Sequence, residues 1–319
     1  MVEINPDITK ARTLSSKYYT DSKIFQSIFS KFGSYWQYIG HPSEFEDGYV
    51  RPLKIVDEQI VLSKSKDNFH CFSNVCTHRG MIIVGEEGCK KALICPYHGR
   101  TFSIEGKFKK MPEFEKVEDF PTIRDDLPRY KLNIWENMIF ALINQTDETN
   151  NWFEQVEQRM SFLDIGNFTY DSSRERKYSI KANWILYVDN YLEGFHIPFV
   201  HKDLNKALDY GQYETELFDG GVLQIGIADE GTNSFDIPPG HQDYGKKVAA
   251  YYWWLYPNLM LNFYPWGLSM NIINPISKDE TEVRYFGFVN NEELLGKGAG
   301  ADLDKVELED QFVVESCQK

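Results

Sequence analysis

The chain has 319 residues, 42% of them hydrophobic, and its 48 acidic side chains outnumber 34 basic ones to give a net charge of -14. That balance repels nucleic acid and anionic lipid, and no basic cluster stands out against it, so neither is expected as a partner. The most apolar stretch, Tyr251 to Leu268, is broken by Pro257, Asn258, Asn262 and Pro265, which argues against a membrane span.

In chain order, the opening Met-Val-Glu-Ile-Asn-Pro has neither the basic start nor the apolar segment of a secretory signal, and a cytoplasmic location is expected. An amphipathic helix is predicted over residues 21–32, where Ile24, Phe25, Ile28, Phe29 and Phe32 repeat at helical spacing between an Asp21 cap and Gly33. From Tyr35 to Ile143 the signal changes to short strands (36–39, 60–62, 69–72, 92–94 and 138–143) divided by turns such as Lys66-Asp67-Asn68 and Glu105-Gly106. Residues 144–151, NQTDETNN, have nothing apolar to bury and read as a linker. Beyond it, predicted helices (152–163, 184–195, 303–317) flank predicted strands (222–227, 252–256, 268–273, 283–289) without one-for-one alternation. The fold class is therefore α+β, an all-β domain followed by an antiparallel sheet packed with helices.

The all-β region holds Cys76-Thr77-His78 and Cys95-Pro96-Tyr97-His98, with sixteen residues between the two pairs. Two thiolates and two imidazoles suit either zinc or a 2Fe-2S cluster with His replacing Cys on one iron. Each loop contributes one of each type, which favours the cluster, since one iron can then take both sulfurs and the other both imidazoles. Of five cysteines, the remaining Cys71, Cys89 and Cys317 are expected to be small buried apolar side chains.

In the second region, residues 183–201 read NWILYVDNYLEGFHIPFVH. Carried on one helix at 100° per residue, Asp189, Glu193 and His196 fall within about 60° of one another, opposite a stripe of Trp184, Tyr187, Val188, Tyr191 and Phe195. A polar arc edged by Ile185, Leu186 and Leu192 is an unusual solvent face, although acids that merely salt-bridge elsewhere would also produce it. Pro198 ends the helix and lets His201 turn back toward His196. On the helix 303–317, Asp310 interrupts the apolar stripe Leu303, Val306, Val313, Val314 and Cys317, a place carboxylates avoid unless paired or metal-bound. Glu307, Glu309 and Glu315 are expected to be surface charges. His196, His201 and Asp310 would make a two-His, one-carboxylate triad for a mononuclear Fe(II), with positions left open for dioxygen and substrate.

The pattern Cys76-x-His78 followed by Cys95-x-x-His98-Gly99 resembles the Rieske signature, and Met81 and Tyr97 stand where respiratory Rieske proteins carry a loop disulfide. NYLEGFHIPFVH, YPNLMLNFYPWGLSMN and EDQFVVESCQ look like the α subunits of ring-hydroxylating oxygenases, in particular the branch that includes choline monooxygenase. The resemblance runs from about Phe29 to the end of the chain. It implies three parts: an N-terminal helical segment (1–34) packing on the catalytic domain, a Rieske domain (35–145), and a helix-grip catalytic domain (146–319). It further implies O2 as co-substrate and electrons from NAD(P)H through a flavin or iron–sulfur reductase. A homotrimer is implied as well, in which Glu193, one turn before His196, links His196 to His98 of a neighbouring subunit. Most ring-hydroxylating members have Asp at that position, so Glu193 agrees better with the amine-oxidising branch. A set of pocket aromatics is expected from among Trp253, Trp254, Tyr256, Phe263, Tyr264 and Trp266, some of them caging a quaternary ammonium group and most of them plain core, and Asn190 and Asp189 would support the iron ligands. Family members continue for some tens of residues past the helix that carries the acid, so the expectation is either a truncated C-terminus or a packing around Asp310 that is supplied differently here.

Overall fold

The computed structural model describes residues 4–5, 7–144 and 152–319, so the expected linker lies outside the described residues except for Asn144. Two compact units are present, one spanning Ser30–Tyr170 and the other combining residues up to Phe29 with Asp171–Lys319.

The Ser30–Tyr170 unit is built from three small sheets. Its central strand Glu58–Ser65 pairs antiparallel with Tyr49–Ile55 on one side and Asn68–Ser73 on the other. Alternation along it serves two cores, because Val61 packs with Val50, Phe72, Leu93 and Phe102, whereas Ile60 and Leu62 pack with Ile39, Phe45, Cys71 and Ile139. Cys76 and Cys95 belong to the first of these clusters. The predicted turn at residues 66–67 is present, with Lys66 in the left-handed region at φ 55°.

In the other unit the strands Thr169–Ile180 (β1), Glu214–Phe218 (β2), Gly221–Ile227 (β3), Val248–Leu255 (β4), Leu259–Tyr264 (β5), Gly267–Ser277 (β6) and Glu280–Val289 (β7) form one sheet in the order β1-β7-β6-β5-β4-β3-β2. Neighbours from β2 through β7 pair antiparallel. The central strands are buried along almost their whole length, as in VAAYYWWL of β4, while the edges β1 and β2 are largely polar. Three helices matter for the site: Ser22–Phe29 (α1), Trp184–Tyr191 (α2) and Leu303–Cys317 (α3). Asp21 caps α1 by accepting hydrogen bonds from the Lys23 and Ile24 amides, and the helix ends at Phe29 before a 3-10 turn at Phe32–Ser34. Asn183 caps α2 and Asp302 caps α3 in the same way. Among the described residues, no helix is long and apolar enough to cross a membrane.

Candidate metal centres

The two loops of the first constellation close in the same manner. In each, the first cysteine amide donates to the carbonyl five residues on (Cys76 to Met81, Cys95 to Arg100, both 2.8 Å), and the glycine four residues on donates back (Gly80 to Cys76, Gly99 to Cys95, both 3.0 Å). Gly80 and Gly99 both have φ of 72°, a left-handed conformation that a side chain would strain. The loops bring Cys76 and Cys95, 3% and 2% exposed, within hydrogen-bonding reach of each other inside the apolar core. His78 and His98 face one another with ring centroids 4.8 Å apart, the first half-buried and the second exposed. Two sulfurs form one pair and two imidazoles the other. That split fits a two-iron group with its sulfur-bound iron inside and its histidine-bound iron at the surface. Cys71 is buried as expected, and its burial pushes the thiol up to about 12. Cys89 and Cys317 are exposed, against expectation: Cys89 sits on a two-residue edge strand and Cys317 in the last turn of α3, where little covers them.

The second constellation assembles inside the other unit. His196, His201 and Asp310 present ligand atoms that all lie within 4.8 Å of one another. The predicted helix over 184–195 stops at Tyr191, so the expected arc of Asp189, Glu193 and His196 does not exist as one helical face. Instead the chain turns, and Pro198 sits in the first turn of a four-residue helix, Ile197–Val200, where its missing N–H costs nothing. His196 and His201 flank that short helix and reach the same carboxylate from its two ends. The His201 Nε2 is 2.9 Å and the His196 Nε2 3.6 Å from Asp310 Oδ1, to which Asn190 Nδ2 donates at 2.7 Å. Each imidazole is held on its far side by a second carboxylate: His196 Nδ1 is 2.8 Å from Glu193, and His201 Nδ1 is 2.8 Å from Glu309. Glu193 also accepts from the Phe195 and His196 amides. Such carboxylates fix which ring nitrogen points inward and make it a better donor to a cation. Burial opposes charge on His201, but Asp310 and Glu309 outweigh it and raise its affinity for a proton, as they would for a metal ion. The donor set of two imidazoles and one carboxylate fits a single iron(II) with positions to spare.

Asp189 does not join this group and accepts instead from the Tyr19 hydroxyl at 2.6 Å, beside α1. Glu309 and Glu307 are corrections to the surface reading. Glu309 orients His201, and Glu307 is fully buried, accepting from the Tyr285 hydroxyl at 2.6 Å and from that of Tyr187. Burial, only partly offset by those two hydrogen bonds and reinforced by Asp310, pushes the Glu307 carboxyl up to about 8. The helical register held this signal, since Glu307 lies four residues after Leu303 and seven before Val314, on the inward stripe. No such signal marked Glu309.

A cleft opens onto His196, His201 and Asp310, and its aromatic lining is Tyr187, Tyr191, Tyr213, Tyr252, Tyr264 and Tyr285. Of the six rings expected there only Tyr264 takes part. Trp266 stacks on Tyr264 from behind, Trp253 is buried in the sheet and Phe263 is fully buried. A polar floor runs from Tyr213 to Gln224 and from Tyr191 to Asn262.

Residues 35–121 match the Rieske [2Fe-2S] domain family and residues 165–319 the ring-hydroxylating α-subunit catalytic domain family. The chain is 27% identical to a chloroplastic choline monooxygenase of Arabidopsis thaliana over all of its length and 79% of that protein. It is 28% identical to the carnitine monooxygenase oxygenase subunit of Escherichia coli K12, covering 97% of this chain and 84% of that one. In fold it superimposes on a quaternary ammonium Rieske monooxygenase, described for carnitine oxidation and inter-subunit electron transfer, with a TM-score of 0.75 at 24% identity (97% and 85% coverage).

Proposed function

Since the chain belongs to the Rieske oxygenase α subunits, we propose that it is the oxygenase component that hydroxylates or demethylates a small quaternary amine. The observation that carries this is the meeting of His196, His201 and Asp310 at the mouth of a tyrosine-lined cleft. Cys76, Cys95, His78 and His98 would hold the 2Fe-2S cluster, and the triad would hold the mononuclear Fe(II). When bound, the cluster stores and delivers electrons and the mononuclear iron activates O2. Asn190, Glu193 and Glu309 keep the three ligands aimed inward whether or not substrate is present. The six tyrosine rings exclude water and offer their faces to a cation, each contact contributing about 0.5–2 kcal/mol. The chain's net charge of -14 favours a cationic substrate in the same sense. In this reading electrons come from NAD(P)H through a separate flavin or iron–sulfur reductase. The chain works as a cytoplasmic homotrimer in which Glu193 joins His196 to His98 of a neighbouring copy.

Oxygen uptake with a surrogate reductase, measured against betaines, choline and aromatic acids, tests the substrate class. Betaine-like amines should win, and turnover confined to aromatic acids would overturn the assignment.

A further inference from the structure

Both ligand loops of the Cys/His site are tied to one residue outside them. The Thr77 hydroxyl, between Cys76 and His78, donates to the Asp125 carbonyl at 2.9 Å. Arg100, which closes the second loop, donates from Nη2 to that same carbonyl at 3.3 Å and to the Asp125 carboxylate at 2.5 Å. Arg100 is 2% exposed, and its guanidinium lies 4.9 Å from the Phe108 ring and 5.6 Å from the Phe120 ring. The anchor is itself fixed, because the Asp125 carboxylate also receives the Thr122 amide and hydroxyl in the capping box of a short 3-10 turn, Ile123–Asp125. No disulfide joins the loops, since all five cysteines are free.

A charge buried against the Phe102, Phe108 and Phe120 rings is expensive for a structural tie that a neutral side chain could make. Its position gives it a second effect: its carbonyl takes the Cys95 amide at 2.8 Å and its guanidinium shares the Asp125 carbonyl with Thr77, the residue between Cys76 and His78, so its charge is held next to both loops. In the pseudo-equivalent place of the first loop stands Met81, which is uncharged and 42% exposed, and the cation that loop does carry, Arg79, is exposed, so Arg100 is the buried cation of the two loops.

We infer that Arg100, paired with Asp125, is a positioning residue that clamps the two cluster loops to a common anchor and sets the reduction potential of the group they hold. The inference rests on the cluster assignment above. Reduction adds negative charge, so a fixed cation beside the sulfurs favours the reduced state, and the Asp125 carboxylate moderates it. Removing the cation alone leaves an unbalanced anion and must lower the potential, whereas neutralising the anion must raise it.

The test uses the holoprotein, following the midpoint potential by spectroelectrochemistry and cluster loss by the fading of visible absorbance. Arg100→Met should lower the potential and Asp125→Asn should raise it. Thr77→Val, which cuts one tether without changing charge, should leave the potential in place and speed cluster loss several-fold. If Arg100→Met does not fold, Arg100→Lys replaces it, with the potential kept and the cluster lost faster. Potentials of the charge variants that coincide with wild type, or a Thr77→Val protein that holds its cluster as long as wild type, would overturn the clamp. A wild-type protein that is colourless and binds zinc would instead overturn the cluster assignment on which the clamp rests.

Discussion

At the level of single residues, the groups proposed to bind metal are distinguished from ordinary polar side chains by what stands behind them. His196 and His201 each have a carboxylate on the ring nitrogen turned away from Asp310. His196→Ala should therefore abolish binding of the mononuclear iron while the visible spectrum of the cluster stays intact, which iron analysis beside absorbance would check. An unchanged iron content would favour a non-catalytic electron carrier. Glu307 makes a different prediction. Its carboxyl titrates at about 8 in the fold against 4.5 in the unfolded chain, so the native state binds the extra proton between those values. Stability from this group is complete below pH 4.5 and is lost as the pH rises through about 8. Glu307→Gln, which cannot ionise, should flatten the pH dependence of thermal unfolding in that window. It should also leave the variant more stable than wild type above pH 8, by an amount on the order of a few kcal/mol. Equal slopes would mean that the carboxyl is ionised in the fold.

Among elements, α2 and α3 act as one ligand-bearing pair. Asn190 on α2 holds Asp310 on α3, and Tyr187 on α2 holds Glu307 one turn earlier on α3. Asn190→Ala should weaken iron(II) affinity about 10- to 100-fold, the usual effect of removing such a partner, with little change in unfolding temperature. The matched loops set another test. Gly99→Ala meets only an ordinary contact with Pro112, so its cost comes from the left-handed backbone and should be about 1–3 kcal/mol, read as lower stability of the Ser30–Tyr170 unit. Where the sequence misjudged elements, the reasons are physical. β5 went unrecognised because Tyr256-Pro257-Asn258 and Pro265-Trp266-Gly267, which are hairpin turns between strands, look like interruptions of one apolar run. β1 was missed because an edge strand with one solvated side can be as polar as TYDSSRERKYSI.

Across the whole chain, the two sets of metal-binding residues lie in two separate compact units, with the cysteines buried in one apolar core and the triad opening on a cleft in the other unit. A mild chelator should accordingly strip the mononuclear iron and stop turnover while the cluster colour persists, and added Fe(II) should restore activity. Simultaneous loss of both metals would contradict this separation. The sequence by itself singled out the residues that the structure then groups, because Cys-x-His, Cys-x-x-His and a lone acid on an apolar helical stripe are local patterns whose chemistry does not depend on distant contacts. It also determined α3 to the residue and the N-cap of α1, though not its end, which comes at Phe29 instead of Gly33, since capping and periodicity are short-range effects. Only the tertiary structure decided that Glu309 stands behind His201, which tyrosines line the cleft, and that Asp125 ties both Cys/His loops together. Those partners are separated by up to 108 residues, as His201 and Glu309 are, and what brings them together is the packing of sheet and helices, which no local pattern encodes.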